Sequence, residues 1–147
     1  MQLLIQRVTQ ASIFVHQKMI THIQQGILAL TCIEQQDTHI AFKKMANKLW
    51  NYRLFEDANG KMNQSLADIQ GQCLLVPQFT LAADTDKGRR PSFSNVCPNP
   101  IAQKGFYDFV QLMRQLYGTT AIKSGIFNAD MQVSLTNDGP ATFWLHS

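Results

Sequence analysis

Apolar and polar positions alternate along the first part of the chain, and then the period lengthens. Leu3, Ile5 and Arg7 share one face of a strand over residues 2–9, and Ile13 and Val15 share one face of a second over 11–16. Residues 19–24 give a further strand. After Gly26 the run Ile27-Leu-Ala-Leu-Thr-Cys-Ile33 is continuously apolar, which suits a strand buried on both faces. From Thr38 onward Phe42, Met45, Ala46, Leu49, Trp50 and Arg53 recur at about 3.6 residues, predicting a helix over 38–52 with Asp37-Thr38 as its cap. Extended segments return at 52–55 and 61–63, around an Asp57-Ala-Asn-Gly60 turn, and again at 71–76. A second helix, opened by Pro98-Asn-Pro100 and stopped by Gly118, carries Ala102, Phe106, Phe109, Val110, Met113 and Tyr117 on one stripe. Residues 122–127, 131–136 and 141–146 read as three more strands. This order predicts a mixed α/β domain in which two main helices cover one side of a mixed sheet system.

Composition sharpens that picture only at a few points. The 147 residues, 45% of them hydrophobic and 16% charged, are the size of one domain able to bury its own core. No linker, repeat or low-complexity tract divides residues 1–147. A net charge of +3, from thirteen Lys+Arg against ten Asp+Glu, permits an anionic partner without demanding one. Cys32, Cys73 and Cys97 are far apart, with no Cys-x-x-Cys pair and no histidine at ligand spacing, so reduced thiols and no structural zinc are expected. No segment approaches the ~20 apolar residues of a membrane span. The N-terminus lacks the pattern of a signal peptide. A cytoplasmic protein with no membrane partner is the expectation.

Several stretches carry candidate chemistry. Arg7, among apolar neighbours, either faces solvent at an edge or turns its five donors onto backbone carbonyls; the strand pattern permits both. Asp57-x-Asn-Gly60 invites a calcium-loop reading, but no closing Glu completes the ligand series, so a hairpin turn is preferred. The strand ending at Val76 runs into Pro77-Gln78-Phe79-Thr80-Leu81, where a breaker both stops the strand and frees amides to donate. The long loop 82–94 holds Lys87, Arg89, Arg90 and Phe93. That grouping is either a solvated charge run or a cation-plus-aromatic grip for a single-stranded RNA end. Asn137-Asp138-Gly139-Pro140-Ala141-Thr142 has the residues of a tight turn and reads locally as a hairpin connection between two strands.

Other chemistries are excluded by what is missing. Glu34 and Glu56 are the only glutamates, and the aspartates sit mostly in turns or at helix starts, which gives a carboxylate-pair mechanism little support. His16, His22, His39 and His146 show neither metal spacing nor a Gly-x-Ser-x-Gly partner, and no Gly-rich phosphate loop follows a strand. Catalysis by this chain would rest on backbone donors and on groups of the substrate.

Pro77-Gln-Phe-Thr80 and Asn137-Asp-Gly-Pro-Ala-Thr142 together resemble the two signatures of the D-aminoacyl-tRNA deacylase family, Ser-Gln-Phe-Thr and Asn-x-Gly-Pro-x-Thr. The likeness extends through Gln6-Arg-Val-Thr-Gln-Ala-Ser12, Gly60-Lys-Met-Asn63, Arg90-Pro-Ser-Phe-Ser94, Ala129-Asp-Met-Gln-Val133 and Phe143-Trp144. The resemblance implies a three-layer β/β/α fold, a homodimer with sites at the subunit interface, and no cofactor. It implies hydrolysis of the ester joining a D-amino acid, or glycine, to the 3′ end of tRNA. In that family the Gly-Pro bond is cis and enters the partner's pocket, where its carbonyls leave no room for an L side chain. Carried over, Phe79, Thr80 and Gln78 are the expected catalytic residues. Gly139, Pro140, Asn137, Thr142, Arg7, Pro77, Met131 and Phe93 are the expected substrate-binding residues, with Arg7 supporting the loop. The chain departs from the family at Pro77, where Ser is usual, at Asn128, where Gly is usual, and at Ser124, where Thr is usual.

Overall fold

The structure, a computed structural model, describes residues 1–86, 88–94 and 96–147. Lys87 lies outside the described residues. One bent strand organises the fold: β1 (Gln2–Val15), where the sequence pattern predicts two. Along one edge it pairs antiparallel with β8 (Gln132–His146) over nearly its whole length. Its other edge is shared, β3 (Gly26–Cys32) taking residues 2–8 and β2 (Lys18–Ile23) taking residues 11–15. Beyond β3 lie β6 (Gln72–Pro77) and β7 (Ile122–Ser124), both parallel to their neighbours. The sheet is therefore mixed.

The two apparent strands in β1 arise from a slip in the pleat. Leu3 and Ile5 face the helices, whereas Val8, Ala11 and Ile13 all face the opposite core. Strict alternation cannot put Val8 and Ala11 on one face; the register against β8 shifts between Val8 and Gln10, and a bulge there absorbs the extra residue. The bend lets β2 pack over β6 and β7, so the sheet folds back on itself. Val8, Ile13, Ile23, Leu28, Leu74 and Val76 fill the space between its two layers.

The other core lies between sheet and helices. α1 (His39–Asn51) is capped by Thr38, whose hydroxyl accepts from the Ala41 amide, and it buries Phe42, Met45, Ala46 and Leu49. Arg53, placed on that stripe by spacing, lies outside the helix and is exposed. α3 (Asn99–Tyr117) buries Ala102, Phe106, Phe109, Val110, Leu112 and Met113, and ends at Gly118. Two sheet layers and one helical layer make the three-layer β/β/α arrangement.

A short helix, α2 (Leu66–Ile69), was not expected from the pattern, although Ser65 and Asp68 form a capping box at its start. The β4 (Phe55–Glu56) and β5 (Met62–Gln64) hairpin bears out the turn reading at 57–60. The Asp57 carboxylate accepts from the amides of Asn59 and Lys61 at 2.8 and 3.0 Å and from Asn63 Nδ2 at 2.7 Å, so its oxygens serve the turn. The strand expected over 122–127 stops at Ser124.

The N-terminus is pinned to the start of the helical layer. The Met1 ammonium is buried and donates to Glu34 Oε2 at 2.9 Å, to Asp37 Oδ1 and to Ser147 Oγ at 2.7 Å, while Gln2 Nε2 donates to Glu34 Oε1 at 2.7 Å.

Candidate active site

The end of β6 builds the first half of the site. Pro77 is the last residue of the strand, and the Gln78 amide still donates to the Thr31 carbonyl at 2.8 Å. Successive amides of a strand point to opposite edges, so position 77 faces the β7 side. There the last bond is from the Gly125 amide to the Leu75 carbonyl, at 2.8 Å. Proline therefore stops the pairing with β7 and leaves the pairing with β3 intact.

The chain then tightens into a single 3-10 turn, Phe79–Ala82. Being first in that turn, the amides of Phe79 and Thr80 have no acceptor among the described residues. The Thr80 hydroxyl accepts from Gln78 Nε2 at 2.5 Å. An amide is no base, and no carboxylate or imidazole hydrogen-bonds to Thr80 among the described residues. The thiol that touches this turn is equally unsuited to attack: Cys32 Sγ lies 3.8 Å from the Phe79 carbonyl, and burial, helped by the nearby Glu34 charge, pushes it up to about 11.

A cavity of about 260 Å³ opens beside the turn, between residues 76–79 and residues 127–131. Its floor depends on Gly125, where a Cβ would lie 2.9 Å from Met131 Sδ and 3.2 Å from Pro77 Cδ. Its far wall is a turn, which begins before the expected end of the strand at Phe127: the Ala129 amide donates to the Ile126 carbonyl at 3.3 Å, and Asn128 takes φ 60°. Asn tolerates that left-handed conformation better than most side chains, which accounts for its standing where the family has Gly. Phe93, 39% exposed, packs edge-on against the 44% exposed Phe79 with ring centroids 5.3 Å apart.

The second half sits on β8, and here the hairpin reading of 137–142 is corrected. Residues on both sides of the turn pair with β1, Asn137 opposite Val8 and Thr142 opposite Gln6. The segment is thus an outward loop within one long strand, because its flanks find their partners in β1 and not in each other. Asn137 closes the loop across its base: Oδ1 accepts from the Ala141 amide at 2.7 Å and Nδ2 donates to Thr142 Oγ1 at 3.0 Å. The Gly139–Pro140 peptide bond is cis, and both residues are exposed.

Arg7 lies beneath this loop, only 5% exposed. Its Nε donates to the Asp138 carbonyl at 2.8 Å and its Nη1 to the Leu54 carbonyl at 2.7 Å, which settles the choice left open by the strand pattern in favour of backbone carbonyls. Asp138 Oδ2 at 3.5 Å and Glu56 Oε1 at 3.9 Å add charge balance. The Leu54 and Asp138 carbonyls carry no side-chain signal, and sequence reasoning did not find them.

Within one chain the structure gathers Pro77, Gln78, Phe79, Thr80, Met131 and Phe93 at one place, and Arg7, Asn137, Gly139, Pro140 and Thr142 at another. A larger cavity of about 480 Å³, bordered by Glu34 and Lys104 on the helical side, contains none of them. No described helix is long and apolar enough to cross a membrane.

Known proteins can be set beside this geometry. The model of the D-Tyr-tRNA(Tyr) deacylase family matches residues 4–146. A D-aminoacyl-tRNA deacylase of Francisella tularensis subsp. novicida is 55% identical over 140 residues, 95% of each chain. One of Teredinibacter turnerae is 50% identical over 147 residues, covering 100% of each. Among solved structures, the c-Myc DNA unwinding element binding protein superposes with a TM-score of 0.93 at 41% identity, over 100% of this chain and 99% of that one. A probable eukaryotic D-amino acid tRNA deacylase reaches 0.81 at 16% identity over 98% of both, a likeness of fold. The chain belongs to the D-aminoacyl-tRNA deacylase family, hydrolases of the ester that joins the amino acid to tRNA.

Proposed function

We propose that this deacylase works as a homodimer in the cytoplasm, on D-aminoacyl-tRNA and glycyl-tRNA, with each site assembled from two chains. The terminal adenosine enters the cavity between residues 76–79 and 127–131, beside Met131. The ester carbonyl points at the amides of Phe79 and Thr80, which donate to the oxyanion as it forms. Water attacks, assisted by the 2′-hydroxyl of the terminal ribose. Gly139-Pro140 of a second copy reaches over this cavity and presents its backbone as a rigid wall. An L side chain would run into that wall; a D side chain points away, and glycine has none to exclude.

The observation that carries this reading is the pair of amides at Phe79 and Thr80, unpartnered among the described residues, beside a hydroxyl that meets no base among them. Two further features support the dimer. The loop that would act as filter is exposed and lies apart from the cavity in its own chain. A cross-strand apolar row, Val76, Leu30, Leu4 and Trp144, goes from buried at Val76 to 50% exposed at Trp144, leaving a sheet face for a second copy to cover.

The test is ester loss from D-Tyr-tRNA, L-Tyr-tRNA and Gly-tRNA. The D and glycyl esters are expected to be cleaved and the L ester spared; equal D and L rates would refute the filter. Pro77→Ser belongs in the same assay, because a non-catalytic tRNA-end binder weakened by Pro77 would gain sharply from it. The accommodated proline predicts little change.

A further inference from the structure

The loop that follows the 3-10 turn is closed into a hairpin by one isolated β-bridge, and the deacylation chemistry leaves Arg89 and Arg90 within it without a role. Asp84 and Ser92 exchange two backbone bonds of 2.9 Å, and the Asp86 amide donates to Asp84 Oδ1 at 2.9 Å. One limb of this hairpin leaves the Phe79–Ala82 turn directly; the other returns through Phe93, which packs on Phe79. The base of the hairpin is therefore held at the mouth of the cavity. Arg89 and Arg90 are exposed near its tip and form no hydrogen bond or ion pair among the described residues. Asp84 accepts from the Asp86 amide, and among the described residues neither aspartate forms an ion pair with the arginines. Of the other arginines, Arg7 is buried, Arg114 donates to the Ile122 carbonyl and to Ser124 Oγ, and Arg53 is exposed just beyond α1.

From these placements we infer that Arg89 and Arg90 bind backbone phosphates in the single-stranded 3′ end of the tRNA substrate, a few nucleotides from the ester. A chain advances at most about 3.3–3.6 Å per residue, so Arg90 Cα lies within about 11 Å of Phe93 Cα. That bound, with the length of an extended guanidinium, keeps both cations within the span of the last few nucleotides of the tRNA. Guanidinium suits this task because its planar fork meets two phosphate oxygens at once. Phosphate contacts position a nucleic acid without reading its sequence, as an enzyme acting on many tRNAs requires. The inference rests on the proposed placement of the ester at Phe79 and Thr80.

Two substrates separate this grip from the chemistry: D-Tyr-tRNA, and the D-tyrosyl ester of adenosine, which has no phosphate. In the double variant Arg89→Gln/Arg90→Gln, KM for D-Tyr-tRNA should rise about tenfold with kcat unchanged, and hydrolysis of the adenosine ester should stay at the wild-type rate. Each phosphate contact on a single strand contributes about 0.7 to the slope of log affinity against log salt, so the slope of log kcat/KM should become shallower by about 1.4. Arg89→Lys/Arg90→Lys should retain the wild-type slope. An unchanged slope and KM in the glutamine variant would overturn the inference, as would equal losses on both substrates. The affinity of uncharged tRNA, measured by direct binding to wild type and to each double variant, reads the same contacts without turnover. If the wild-type enzyme failed on both D esters, the ester placement would fall, while the direct-binding series would still decide the phosphate grip.

Discussion

A side chain at Gly139 would meet two atoms that are already committed. Its Cβ would stand 2.9 Å from the Ala141 amide nitrogen and 3.1 Å from Arg7 Nη2, at a φ of +142° that L residues rarely adopt. The Ala141 amide is held by Asn137 Oδ1 at 2.7 Å, and Arg7 by two carbonyls at 2.8 and 2.7 Å. Neither can withdraw without losing a hydrogen bond, so the loop itself must shift. Misplacement by about 1 Å can cost on the order of 100-fold in rate. Gly139→Ala should therefore lower kcat on D-Tyr-tRNA by about that factor, while the exposed loop limits the stability loss to roughly 1–2 kcal/mol. Steady-state kinetics beside a denaturant melt check both numbers; an unchanged rate would mean that the reaction does not use the position of this loop. Arg7 shows why such a network escapes sequence reading. The acceptors that define its role are 47 and 131 residues away and are main-chain atoms, which any residue type would supply.

Among the elements, the helices were legible because their apolar stripes and stops are local. The long strands were not. Asn, Asp, Gly and Pro at 137–140 satisfy a hairpin and an outward loop equally well, and the two differ only in which strand the flanks pair with. β1 appears as two strands for a related reason, since a one-residue bulge reverses the alternation that identifies a face. At the Phe127–Met131 wall of the cavity the apolar pattern carries a strand on to Phe127, and only the turn formers Asn128 and Asp130 mark the turn. Where an element is tied down by charge, its stability follows pH. Burial alone would raise the Glu34 carboxyl; the hydrogen bond from Gln2 and the bond and charge of the Met1 ammonium outweigh it and hold Glu34 below its ordinary 4.5. A depressed carboxyl contributes its stability above about 4.5 and loses it as pH falls through the lower folded value. The stability difference between wild type and Glu34→Gln, measured by urea unfolding, should be constant from pH 7 to about 5 and shrink steadily below about 4.5. A difference independent of pH would show that the anchoring of β1 does not depend on the Glu34 charge.

At the scale of the whole molecule, the proposed function takes the two halves of the site from different copies of one sequence, and that proposal can be tested without seeing the dimer. Phe79→Pro removes one of the two free amides and the aromatic ring; Gln78, with φ −148° and ψ 77°, lies outside the α region that a following proline disfavours, and the lost N–H has no acceptor among the described residues. Losing one oxyanion donor costs about 100- to 1,000-fold in kcat. Gly139→Ala spoils the other half. Each variant alone should form symmetric dimers in which both sites are defective. When the two are unfolded together, mixed in equal amounts and refolded, random pairing makes roughly half of the dimers mixed. In a mixed dimer the intact cavity of the Gly139→Ala chain faces the intact loop of the Phe79→Pro chain, which restores one site of the two. The mixture should then recover roughly a quarter of the wild-type rate on D-Tyr-tRNA, far above either variant. A site complete within one chain cannot give this result, because every chain in the mixture carries a defect. A mixture no faster than the average of its components would return Gly139-Pro140 to its own chain and remove the partner from the mechanism.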